Sequence, residues 1–190
     1  MKVVKTVKEV REIVAGWRKE GLTVGLVPTM GFLHEGHQSL IRKSASQNDR
    51  TVVSVFVNPI QFGPNEDLEA YPRDLNRDME KVEEAGGNLI FNPEPAEMYP
   101  GHFTSFIDTT ETTELLCGAV RPVHFRGVCT VVGKLLILFV PIVLTSDRRM
   151  PSSWLPLSVL CAILTSPLRL CPAPSFARTT DWPNRAATLT

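Results

Sequence analysis

Hydrophobic positions fall into two alternating patterns over the first ninety or so residues. Across residues 6–20, Val7, Val10, Ile13, Val14 and Trp17 lie at helical spacing on one face, and Gly21 follows as a stop. Residues 23–29 form a short apolar, β-branched run, which predicts a buried strand. Residues 35–48 return to helical spacing with Leu40 and Ile41 on the apolar side, and residues 51–58 (TVVSVFVN) are the clearest strand of the chain. Strand, helix and strand with short links predict a βαβ unit and a parallel sheet. A loop, NPIQFGPNEDLEAYP, then leads to a polar helix over 74–85 that ends at Gly86-Gly87, and to a third strand at 88–91. Residues 92–126 read as loop-rich, with Pro, Gly and His, and CTVVGKLL at 129–136 begins another helix or buried segment. No internal repeat is visible.

Composition fits an ordinary globular domain. The chain has 190 residues, 43% hydrophobic and 21% charged, enough to bury a substantial core. Formal net charge is zero, so electrostatics give no case for nucleic acid or an anionic membrane as partner. The N-terminal MKVVKTVKEVREIVAGW spreads its charges and does not read as a signal peptide. The most apolar window, LLILFVPIVL at 135–144, is broken by Pro141 and is shorter than the roughly 20 residues a membrane span needs. Cys117, Cys129, Cys161 and Cys171 are widely spaced without a CxxC, so neither a metal site nor a disulfide framework is expected, and a cytoplasmic location is.

The chemistry concentrates in VPTMGFLHEGH, residues 27–37. A strand delivers the chain to the carboxyl edge of a parallel sheet, where ligands bind in open α/β folds. Gly31 permits a tight turn and close backbone approach, and Gly36 keeps the turn between the histidines free of a side chain. The helix that begins there offers unpaired N–H groups and a positive dipole end, suited to phosphate. His34 and His37, three apart, point to one side of a first helical turn and can donate hydrogen bonds to phosphate oxygens. A lone histidine would read as a surface or capping residue; HxGH after Pro-Thr-Met-Gly reverses that preference. A protein-bound metal is not expected, because no third ligand is evident.

HEGH resembles the HxGH signature of the nucleotidyltransferase group that includes class I aminoacyl-tRNA synthetases. The ordered strings VPTMGFLHEGHQSLI, VVSVFVNPIQF, DLEAYPRDLNRD, MYPGHFTSF and RPVHFRGVCTVVGKLL resemble the pantothenate synthetase (pantoate–β-alanine ligase) family over residues 3–136. The resemblance implies an α/β fold, a Rossmann-like parallel sheet with flanking helices. It implies an ATP-dependent ligase that joins pantoate and β-alanine through a pantoyl adenylate, with Mg²⁺ carried by the nucleotide, and a homodimer. It places Met30, Gly31, Phe32, Leu33, His34, Glu35, Gly36 and His37 along the ATP site, with His37 and His34 catalytic. Gln61 would bind pantoate, Asn58 would support it, and Pro28, Val128 and Val131 would shape apolar walls. Arg121 and Arg126 are equally readable as anion ligands or as solvated loop residues. The alternatives are another HxGH nucleotidyltransferase and a non-catalytic nucleotide-binding fragment.

The chain departs from the family after GKLL. The family continues with PDxAxFGxKDxQQL and later DGLAxSSRNxYL, which supply Lys, Asp, Gln and Ser-Ser-Arg to the ligands; neither string is present. Residues 141–190 contain no Gly, Lys or Glu and show no sustained period, so they predict a tail without regular structure. Codons exist for residues 140–150 and 178–190 that, on skipping two bases, read PDRAYFGQKD and DDGLAKSSRNTY. Both family motifs thus return in one frame and in order. The reading is a Rossmann-like domain over 1–140, incomplete, followed at 141–190 by an out-of-frame tail that impairs activity.

Overall fold

Short β-branched runs and amphipathic helices alternate, and they assemble as parallel layers. The computed structural model describes residues 1–63, 66–108, 122–139, 143–147 and 169–173. In chain order the elements are β1 (Lys2–Val4), α1 (Val7–Lys19), β2 (Val24–Thr29), α2 (Glu35–Ala45), β3 (Arg50–Val55), a 3-10 turn (Pro59–Gln61), α3 (Leu75–Glu84), β4 (Leu89–Phe91), α4 (Pro95–Met98), α5 (Pro122–Phe139), β5 (Val143–Asp147) and β6 (Arg169–Ala173). Among the described residues the sheet order is β1-β4-β3-β2-β5-β6, and every pairing is parallel. β2 and β3 run in register from Val24 opposite Arg50 to Thr29 opposite Val55, so the two strands end side by side.

Strand alternation distributes the core between two faces. Val24, Leu26, Val52, Leu89 and Phe91 pack with Val10 and Val14 of α1 and with Leu135, Leu136 and Phe139 of α5. Val27, Val53, Val55 and Ile90 pack instead with Leu40 and Ile41 of α2 and Val82 of α3. Both faces are covered, which is why the strands read as near-continuous apolar runs. α1 starts at a capping box: Thr6 accepts the Glu9 N–H and Glu9 accepts the Thr6 N–H.

Several boundaries differ from the sequence reading. β1 is an addition; three residues are too few to display a period. α2 stops at Ala45 and not 48, because Asn48 folds back to donate to the Ser44 carbonyl and Asp49 accepts the N–H and hydroxyl of Thr23. β3 stops at Val55 and not 58, where the chain turns into the 3-10 segment at Pro59. α4 lies within the stretch read as loop. α5 begins at Pro122, seven positions before the expected start at 129; proline is tolerated in a first helical turn. β5 and β6 are regular structure within the tail read as structureless. A physical reason is the far edge of β2, whose N–H and C=O groups recruit extended chain.

Candidate functional site

Two groups of side chains meet the carboxyl edge of the sheet, one after each of the adjacent strands β2 and β3. At the end of β2 the Thr29 hydroxyl donates to the Ser54 carbonyl at 2.8 Å and accepts the Gly31 N–H at 3.2 Å, starting the turn. Gly31 has φ +84°, and a Cβ there would lie 2.9 Å from Asp78 Oδ2 and 3.0 Å from Val55 Cγ1. Phe32 follows with φ 51°, a left-handed conformation uncommon for a bulky residue. Its N–H donates to Asp78 Oδ2 at 2.9 Å, and the Leu33 N–H donates to Asp78 Oδ1 at 2.7 Å. The Arg77 guanidinium lies 4.6 Å from the centre of the Phe32 ring. α3 thus holds the loop from the core side with Asp78 and from the outer side with Arg77.

The loop delivers His34 to the N-cap of α2 in an extended conformation. His34 Nδ1 accepts the Gly36 N–H at 3.1 Å, and His37 Nδ1 accepts the His34 N–H at 3.3 Å. The rings lie 4.0 Å apart, centroid to centroid, on the same side of the backbone. An imidazole that accepts at Nδ1 carries its neutral-state proton at Nε2. The pair is therefore set as two Nε2–H donors beside the positive end of a helix.

The second group follows β3. Asn58 is buried, and its amide is shared among three elements. Its Nδ2 donates to the Gly127 carbonyl of α5 at 3.0 Å and to Gln61 Oε1 at 3.4 Å, while its Oδ1 accepts the Tyr99 hydroxyl at 2.8 Å. A Cβ on Gly127 would lie 2.5 Å from Gln61 Cα, so only glycine lets α5 touch the 3-10 turn. Lys134 Nζ lies 4.7 Å from the Phe103 ring centre and 5.3 Å from that of Tyr99. Burial holds the Lys134 ammonium below its usual pKa and pushes the Tyr99 phenol well above its own.

The expected residues fall into place unequally. Gly31, His34, Gly36 and His37 form one cluster, with half-buried Met30 beside it; Asn58 and Gln61 form the other. The Leu33 side chain is fully buried among Leu40, Ile41 and Val82, and its N–H goes to Asp78, so it anchors the loop. The Phe32 N–H is likewise taken by Asp78, and the Glu35 carboxylate pairs with Arg42 along α2, which leaves the exposed Phe32 ring and the backbone at Glu35 as their contributions. Val131 is core, Val128 packs against the same core, and Pro28 is half-buried at the end of β2. Arg126 lies 3.8 Å from Asp108 and 4.2 Å from the Phe106 ring centre; Arg121 lies outside the described residues. Among the described residues no group of three or more His, Cys, Asp or Glu could hold a metal ion, and no helix is long and apolar enough to cross a membrane.

Sequence reasoning missed Asp78, Tyr99 and Lys134. Asp78 left a signal: it stands among Leu75, Met79 and Val82 on the apolar side of an otherwise polar helix, a buried acid awaiting partners. Lys134 is similarly a lone cation inside an apolar stretch. Tyr99 had no local signal beyond its place in MYPGHF.

The model of the pantoate-beta-alanine ligase family matches residues 2–146. The chain is 55% identical over 141 residues to pantothenate synthetase of Clostridium acetobutylicum, covering 74% of this chain and 50% of that protein. It is 61% identical over 135 residues to pantothenate synthetase of Enterococcus faecalis, covering 71% and 48%. Its fold superposes on crystalline pantothenate synthetase from Thermus thermophilus with TM-score 0.86 at 41% identity, covering 94% of this chain and 63% of that one. The pantoate-beta-alanine ligase of Francisella tularensis, solved with beta-gamma ATP and beta-alanine, gives TM-score 0.87 at 33% identity, covering 94% and 68%. The chain spans about half the length of the curated relatives it matches, 50% and 48% for the two above. By sequence over residues 2–146 and by the arrangement of its sheet, the chain belongs to the pantoate-beta-alanine ligase family.

Proposed function

We propose that this chain carries the nucleotide- and pantoate-binding part of an ATP-dependent pantoate–β-alanine ligase. The observation that carries the reading is the ring pair of His34 and His37 at the head of α2, each accepting a backbone N–H at Nδ1, which leaves Nε2 to carry the proton. In this reading they hold phosphate oxygens of ATP while the pantoate carboxylate attacks the α-phosphate, forming pantoyl adenylate and releasing pyrophosphate. The β-alanine amine then attacks the acyl carbon, and AMP leaves. A carboxylate is a poor acylating agent, so adenylation supplies the leaving group, and the protein's task is positioning and charge stabilisation. Gln61, its Oε1 engaged by Asn58, presents its amide N–H₂ to pantoate. In this reading Mg²⁺ arrives with the nucleotide. The working assembly is a homodimer.

The same reading makes residues 141–190 an out-of-frame replacement for the family's later segments. It is supported by the two motifs that reappear, in order, on a two-base skip. Each lost charged contact to the reacting phosphate costs on the order of a hundredfold in rate, so the chain is expected to be nearly inactive while still binding ligands.

Isothermal titration of ATP and of pantoate into the chain tests the function. Binding of both is the expected result. ATP without pantoate would move the assignment to another HxGH nucleotidyltransferase or a nucleotide-binding fragment, and binding of neither would overturn it.

A further inference from the structure

We infer that Asp78 is a positioning residue for the imidazole pair: its carboxylate holds residues 31–33 in a left-handed turn and thereby seats His34 and His37. This rests on the nucleotide reading above only for its consequence in binding; the clamp stands on geometry alone. Asp78 is 1% exposed, and each carboxylate oxygen accepts one loop N–H, from Phe32 at 2.9 Å and from Leu33 at 2.7 Å. A buried carboxylate is stable only with such partners, and charge-assisted hydrogen bonds are the strong ones. They are placed where the backbone is least content, at Phe32 with φ 51° directly after Gly31 with φ +84°. With φ +84° and Asp78 Oδ2 only 2.9 Å from where a Cβ would lie, a side chain at position 31 would be strained and would displace the carboxylate.

The coupling to the histidines is short. The Leu33 N–H precedes by one peptide unit the His34 N–H, which donates to His37 Nδ1. If the turn relaxes, the His34 N–H and the His34 ring leave their positions together, and both Nδ1 acceptors lose their donors. In this scheme Asp78 acts through the backbone.

The test is Asp78→Asn in the full chain, which keeps the shape and replaces one acceptor oxygen by a donor. Amide hydrogen exchange at Phe32 and Leu33 is expected to quicken on the order of tenfold beyond any change at Val52 and Val53. In the same sample the ring-nitrogen NMR signals of His34 and His37 are expected to lose the pattern of an Nδ1 acceptor. Loop and strand amides changing alike, or unchanged ring signals, would overturn the inference. Should Asp78→Asn not fold, Phe32→Gly on that background decides: glycine accepts positive φ without strain. Recovery of folding and of the ring signals supports the clamp, and failure to recover them overturns it. ATP titration of the unaltered chain is read separately, so absence of nucleotide binding removes the functional reading and leaves the exchange result intact.

Discussion

An imidazole that accepts a backbone N–H at Nδ1 has only Nε2 left to carry its proton, and His34 and His37 both do so. Nitrogen NMR of the chain above the histidine titration is therefore expected to show both rings as Nε2–H tautomers; an Nδ1–H signature in either ring would contradict the donor arrangement. The half-buried phenols give a second prediction. Tyr71 and Tyr99 are the chain's two tyrosines, and burial raises both above the usual 10.0, with the charge of Asp78 adding to the effect at Tyr71. The unfolded chain releases these protons near pH 10.0 while the folded chain retains them. Their contribution to stability is whole below that pH and is lost as pH rises through the folded values. Tyrosinate absorbance near 295 nm should lag the ordinary titration and rise together with unfolding; free titration at pH 10 in folded protein would disprove it. Gly31 and the histidine pair were legible in the sequence because HxGH after a strand fixes a local geometry. The burial of Asp78 left a signal, but its role did not, because its partners are 45 and 46 positions away.

At the scale of elements, the contact between α5 and the 3-10 turn organises the second group. Gly127→Ala would drive a Cβ to 2.5 Å from Gln61 Cα and 2.6 Å from the Ile60 carbonyl oxygen. Backbone cannot yield as a side-chain end does, so the substitution is expected to cost about 1–3 kcal/mol, read from the urea midpoint. Tyr99→Phe removes the hydroxyl that Asn58 Oδ1 accepts and leaves a buried acceptor without that donor, at about 1–3 kcal/mol. A shift near zero in either variant would mean that the turn and helix are not packed as described. The β2–α2–β3 unit was readable because its apolar runs are long and its links short. The start of α5 was hidden, since Pro122 and Gly127 both read as loop residues; Gly127 is in the helix because the 3-10 turn needs its missing side chain.

At the scale of the molecule, the six parallel strands among the described residues place both groups at one edge, the ends of β2 and β3. Its fold class was legible from strand–helix alternation alone, but β5 and β6 were not, because the tail shows no sustained period of 2 or 3.6. Sequencing the coding DNA across residues 130–145 is expected to reveal a two-base offset whose restoration returns PDRAYFGQKD; a gene in which no other frame reads a family motif would dispose of the out-of-frame account. The central claim, that the imidazole pair grips a triphosphate, is tested most directly by calorimetric titration of ATP into the intact chain and its His37→Asn variant. Asparagine retains a short acceptor for the His34 N–H but removes the Nε2–H donor. Saturable binding that weakens on the order of tenfold in the variant is the predicted result; equal affinity in both proteins, or no binding by the intact chain, would contradict it.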